Sequence, residues 1–364
     1  MPATPSRFAR VTLALLFLWI GALVPVHARA DEAPSDDDDS AQEDEGTAEE
    51  GEGTDHTDHD HDAPHVRESI TVTAQRPSDT DTHARVEIEA AALERTRGQD
   101  LAEAIGQVDG VTVARGAADS SKPIIRGQTE RRLLVLSNGV RHASQKWGAD
   151  HATEIDPFAA GRLSVVKGAA GVKYGPDAIG GVILVDPPRL LTTPGVDGVV
   201  QFIGVSNGLR FTGAGRLDLA PAKLPGFVAR IEGNYSRGSS LRAPTYVLGN
   251  TASQVWNVGA TLHYHRGPVH LTATYEHYDL RAGVFYGMSS STPDAFAASL
   301  ERDAPLGSEA WTVTPVIDRP MQTVQHDRAV ARAEFFGPRG TVHVTYAFQL
   351  NRRKEFEPVR SSVE

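Results

Sequence analysis

The sequence predicts an α/β domain followed by an antiparallel transmembrane β-barrel portion, both behind a disordered acidic leader. Three observations carry that expectation. One block of uncompensated acid lies near the N-terminus, short Val/Ile runs punctuated by glycine fill the middle, and apolar and polar residues alternate in the C-terminal half. The 364 residues are 40% apolar and 23% charged, with a net charge of −11 and no cysteine. Lack of cysteine excludes a disulfide scaffold and thiol catalysis but leaves His- and carboxylate-based metal sites open. The acidity is local. Residues 31–62 hold sixteen Asp and Glu without one Lys or Arg. Setting aside that block and Arg7, Arg10 and Arg29 leaves residues 63–364 at +2, so no broad basic surface points to a nucleic-acid partner.

Residues 1–30 read as a secretory signal peptide. Arg7 and Arg10 precede the apolar run Val11–Val24, which is short of the ~20 residues that span a bilayer, and Ala28-Arg29-Ala30 supplies the small residues a signal peptidase reads. Residues 31–67 form an acidic, His-rich linker that repels itself and buries nothing. His56, His59, His61 and His65 alternate there with carboxylates, a composition that collects divalent metal loosely, without a fixed geometry; a solvated spacer is the other reading. The acid stops at Glu68-Ser69-Ile70-Thr71-Val72-Thr73-Ala74, a β-branched segment within 68–76 that is suited to adding as a strand to another protein's sheet.

Residues 85–190 read as a compact α/β unit. Leu101, Ala104, Ile105 and Val108 have helical spacing, and Val111–Val113, Pro123–Gly127, Arg132–Ser137, Leu163–Val166 and Val182–Val185 read as strands. Asn138-Gly139 is a turn dipeptide. The run Gly168–Lys173 lacks the spacing of a phosphate loop.

In order along the chain come Ile124-Ile125-Arg126-Gly127, Val135–Val140, Ile155-Asp156-Pro157, Val165-Val166-Lys167-Gly168 and Tyr174–Ile183. Over about 90 residues this series resembles the plug domain of TonB-dependent outer-membrane receptors, and Glu68–Ala74 resembles that family's TonB box in the position the family gives it. The resemblance implies a plug seated in a 22-stranded barrel, with TonB and its inner-membrane energising complex as partner. It implies an outer-membrane location in a Gram-negative bacterium, the linker and box in the periplasm, no enzyme activity and no required cofactor. It also implies that Arg126, Glu154, Arg162 and Lys167 serve the plug–barrel contact, ordinary surface charge being the alternative.

From residue 198 to 364 the pattern becomes dyadic. Trp256, Val258, Ala260, Leu262 and Tyr264 share one face of a strand, with Asn257, Gly259, Thr261, His263 and His265 opposite; Ala329, Ala331, Ala333 and Phe335 repeat the scheme against Arg328, Arg332 and Glu334. An apolar face toward lipid and a wet lumen face explain it. Seven strands are expected near 199–206, 209–219, 227–236, 253–265, 269–281, 325–336 and 340–352. Three of their connections (Pro221–Gly226, Arg266–Pro268, Gly337–Gly340) are short and fit periplasmic turns, whereas 237–252 and 282–324 fit extracellular loops. Seven of 22 strands leave the barrel open, so the sequence is expected to be a fragment, a truncated product or part of a split receptor.

For substrate, His142, Asp150 and His151 lie in a loop expected at the plug apex, with His277 and the loop residues Asp294 and Glu301 as further metal candidates. Asp150-His151-Ala152 and the His-rich linker resemble the zinc-uptake subclass of the family. That resemblance favours uptake of zinc or another divalent metal, with a ferric siderophore, cobalamin or heme as the alternative cargo and a non-transporting remnant as the alternative to transport.

Overall fold

In the computed structural model, residues 65–70, 85–88, 90–117, 119–144, 151–288, 294, 297–298 and 301–357 are described. The signal peptide, His56, His59, His61, Thr71–Ala74 and Asp150 lie outside them.

Short runs rich in Val, Leu and Ile build the plug's central sheet. It comprises β2 (Arg85–Ile88), β5 (Leu133–Ser137), β6 (Val140–Arg141), β7 (Arg162–Lys167) and β8 (Gly181–Asp186), in the order β2-β7-β8-β5-β6. Only β5 and β8 run parallel; the other pairs are antiparallel. Both faces are covered, so these strands read as continuous apolar runs. Leu163, Val165, Ile183, Val185, Leu133 and Val135 pack on one side with Leu101, Ile105 and Val108, and Leu134, Val166, Val182 and Leu184 on the other. Two short helices, α1 (Ala90–Arg95) and α2 (Leu101–Ile105), cover the first side. Asp100 caps α2 by accepting from the Glu103 N–H at 3.0 Å. A separate hairpin joins β3 (Val111–Ala117) to β4 (Ser120–Ile125). Asn138 (φ 49°) and Gly139 (φ 75°) turn β5 into β6, which is why a residue without Cβ stands second. Gly168–Tyr174 is a 3₁₀ segment, not a phosphate loop.

The wall is one antiparallel sheet of consecutive strands: β9 (Gly195–Val205), β10 (Arg210–Ala220), β11 (Phe227–Gly238), β12 (Ser253–Arg266), β13 (Val269–Gly283), β14 (Met321–Gly337) and β15 (Gly340–Phe356). All seven expected strands are present, most of them a few residues longer at an end, because the outer strand tips carry polar residues that blur the alternation. The two faces differ as the dyad demands: Trp256, Val258, Leu262 and Tyr264 are exposed, while Val255 and Asn257 on the opposite face are buried. β1 (His65–Ile70), which holds the start of the box-like segment, pairs antiparallel with the outer edge of β15, from His65 opposite Asn351 to Ile70 opposite Tyr346. Among the described residues, no helix is long and apolar enough to cross a membrane.

The plug is tied to the wall by polar contacts. Arg328 and Arg332 donate to the carbonyls of Ser137 (2.8 Å) and Asn138 (2.7 Å) at the β5–β6 turn. Gln349 grips the strand beyond it at both ends of its amide, donating to the Arg141 carbonyl and accepting from the Ala143 N–H. At the other side of the sheet, Arg210 pairs with Asp119 at 2.6 Å, and Arg230, itself paired with Asp218, donates to the Pro188 and Arg189 carbonyls.

Candidate metal-binding seam

β6 ends at Arg141, and the next residue, His142, is carried directly onto the wall. The chain returns through His151 and Glu154 before entering the sheet again at β7. On the wall, residues of even number on β14 and odd number on β15 face the plug, which brings His326 opposite Asn351. The result is a buried group of three potential ligands drawn from both bodies. His142 (2% exposed), Glu154 (4%) and His326 (3%) offer ligand atoms that all lie within 4.8 Å of one another. His142 Nε2 lies 3.3 Å from Glu154 Oε2, and the rings of His142 and His326 are 4.6 Å apart. His326 Nδ1 contacts the Asn351 amide at 3.0 Å, while its buried Nε2 has no hydrogen-bond partner among the described residues.

Arg353 donates to Glu154 Oε1 at 3.0 Å and also bonds Gln322. Burial alone would raise the Glu154 carboxyl. The hydrogen bond from His142, with the charges of His142, Arg353 and His326, outweighs it and holds the group down to about 2. The carboxylate is therefore ionised throughout the physiological range, and Arg353 supplies the positive charge that an entering cation would share or displace. The adjoining cavity is lined by further acids, among them Asp156, Glu232 and Glu276. Burial pushes Asp156 up to about 7, with the Glu276 charge adding to it against the Phe158 N–H and Arg97.

His151 points elsewhere, to Glu355 on β15, at 2.6 Å. Glu355 is two residues from Arg353 on the same face of β15, so the two plug-to-wall pairs are neighbours on that strand. His277 is not brought to either pair. Odd residues of β13 face outward, and His277 lies there beside Trp256 (ring distance 4.6 Å), hydrogen-bonded to Asp327 at 2.7 Å. Asp294 and Glu301 are exposed in the long loop.

Of the residues expected at the plug–barrel contact, Glu154 meets Arg353 on the wall. Arg162 pairs with Asp186 (2.7 Å) and Lys167 donates to the Asp109 carbonyl (2.9 Å), both inside the plug; Arg126 is exposed in the turn after β4, beside Gly168. His326 escaped sequence reasoning. Its signal was a histidine at an inward position of a predicted strand, and only the strand register shows which plug residue it faces.

Residues 77–182 match the model of the TonB-dependent receptor plug domain. Among curated proteins, the vitamin B12 transporter BtuB of Photobacterium profundum is 28% identical over 187 residues, 48% of this chain and 31% of that protein. The hemin receptor of Yersinia pestis is 33% identical over 97 residues, 26% of this chain and 14% of that protein. The chain thus spans less than a third of the length of these relatives. Among solved structures, the copper transporter OprC superposes with a TM-score of 0.56 at 17% identity, covering 79% of this chain and 39% of that one. The siderophore receptor PirA from Acinetobacter baumannii gives 0.56 at 16% identity, covering 78% and 42%. Residues 77–182 are thus a TonB-dependent receptor plug domain, and the inward-polar, outward-apolar strands that follow in the same chain share the fold of the barrel wall in these receptors.

Proposed function

We propose that the chain is the plug-bearing part of an outer-membrane receptor that takes up a divalent transition-metal ion, zinc foremost, with energy delivered through TonB. The single observation behind this reading is the buried His142–Glu154–His326 group. Two imidazoles and a carboxylate form a ligand set of borderline softness that suits zinc or copper better than magnesium or calcium, and three protein ligands leave a fourth position for water or for a ligand handed on with the ion. The ion is cargo, and no bond of the cargo is made or broken apart from those to its ligands.

The division of the donors between two bodies suggests how release follows from pulling. His142 and Glu154 belong to the plug and His326 to the wall. A plug displaced by TonB, which adds to the box segment Glu68–Ala74 as a strand, carries two donors away from the third. A displacement of a few ångströms breaks coordination bonds that are about 2.0–2.2 Å long. The box assignment rests on sequence. Val72→Pro, which removes a ladder donor, is expected to abolish energised uptake and spare surface binding.

The test is zinc-65 accumulation in zinc-limited cells expressing the receptor. His142→Ala with His326→Ala should lower it by tenfold or more, on the scale of about 10–100-fold for lost metal-site partners, at unchanged surface abundance. Unchanged accumulation contradicts the reading. A second reading, uptake of a metal complex, draws on the similarity to the vitamin B12 transporter. It predicts cobalamin- or heme-dependent growth that survives the same double substitution.

A further inference from the structure

At the short-turn end of the wall, the strand register assembles a row that the linear sequence scatters. His265 on β12 is the direct partner of His270 on β13, His270 of Glu334 on β14, and Glu334 of His343 on β15. Antiparallel partners share a face, and all four stand on the inward one, with His263 one step along β12 on the same side. Directly paired residues have Cβ atoms about 4.5–5.5 Å apart, close enough for neighbouring side chains to hold one ion between them. The rings of His263, His265 and His270 already lie 5.4 to 5.8 Å from one another.

From this juxtaposition we infer a second metal site, a shallow catch for a divalent transition-metal ion at the short-turn mouth of the lumen. His265 and His270 would be its imidazole donors and Glu334, the direct partner of His270, its carboxylate, with His343 behind Glu334 orienting it. Glu334 accepts from or pairs with His343 Nδ1 at 2.8 Å, and His263 Nδ1 meets the Thr272 hydroxyl at 2.9 Å. The Phe336 ring contacts His270 at 4.9 Å and His343 at 6.0 Å, giving the row an apolar flank. The side chains are partly open to solvent, so converging on an ion at about 2.0–2.1 Å takes ring rotation with no backbone shift. Lumen polarity accounts for one such histidine; Thr or Asn would serve equally at every position, and three ligating residues in register across three adjacent strands, with a histidine paired to the third, need a further reason. The site is independent of the seam at His142, Glu154 and His326, with which it shares no residue.

The experiment is carbethoxylation of histidines in the full purified chain in detergent, with and without zinc chloride, read by peptide mass mapping. At zinc near ten times the dissociation constant, modification of His265 and His270 should slow together by roughly tenfold, as mass action requires. In Glu334→Gln with His270→Asn, protection of His265 should be lost, with strand content unchanged by circular dichroism. Zinc-independent modification of the row, or protection confined to His56, His59, His61 and His65, overturns the proposal. Protection of His142 and His326 is a separate reading and reports only on the seam.

Discussion

The plug and the wall are both built from strands with a two-residue period, yet they spend it in opposite ways. In the plug sheet both faces are apolar and buried: Leu163 and Val165 look one way, Val166 and Val182 the other. In the wall the exposed face is the apolar one, and the buried face carries Arg230, Arg328, Gln349 and Arg353. The difference follows from what each face meets. The plug sheet meets its own helices and turns and gains by excluding water. The wall meets lipid outside and, inside, a folded domain whose turn carbonyls and loop carboxylates need donors. Plug stability should therefore depend on apolar volume, and docking on paired charge.

The largest break should come from the plug core. Ile183 is fully buried at the centre of the sheet, and Ile183→Asp would bury an unpaired charge, a change in the class that exceeds about 4 kcal/mol and removes the folded plug. Rapid proteolysis of residues 85–190 with intact wall strands is the expected result.

Next comes the wall's buried pair. Arg230 and Asp218 side chains are each 2% exposed, so Arg230→Ala leaves the buried carboxylate with Arg216 alone, at 3.5 Å, at a cost of about 3 kcal/mol, seen as a lower denaturant midpoint in micelles. Arg328→Ala removes the donor to the Ser137 carbonyl while Glu276 keeps partial solvent access. It should loosen plug docking by about 1–3 kcal/mol, measured as faster proteolysis between Asn138 and Glu154.

The smallest effect is a pH dependence inside the plug. Burial raises the Asp100 carboxyl above its ordinary value; hydrogen bonds from Ser121 and the Glu103 N–H oppose this, and the charges of Asp119 and Glu103 add to it. A carboxyl raised on folding stabilises the plug while protonated. That contribution is complete below the unfolded value of 3.8 and lost as pH rises through the folded one. The isosteric Asp100→Asn should show a smaller loss of stability than the wild type as pH rises above 3.8 in denaturant titrations.

Most of the architecture is legible in the sequence. The wall strands were visible because lipid enforces alternation without exceptions in stretches such as Trp256 to Tyr264, and the β5–β6 turn because Asn138-Gly139 leaves few alternatives. Arg85–Ile88 and Ala90–Arg95 were missed: four to six residues carry too little periodicity to distinguish strand from helix. The candidate seam was half legible. His142 stood out as a loop histidine, but Glu154 was assigned to docking and His326 to nothing, since their meeting depends on the register between β14, β15 and a plug loop. The same holds more sharply for His265, His270, Glu334 and His343, whose spacing in sequence carries no sign that they form a row.

The central claim is that the seam between plug and wall holds a metal ion. Anomalous diffraction at the zinc edge from crystals of the chain grown with zinc chloride tests it most directly. The expected result is a peak within bonding distance of His142, Glu154 and His326, with Arg353 turned away from Glu154. A peak absent from that group, with Arg353 still paired to Glu154 at 3.0 Å, would contradict it.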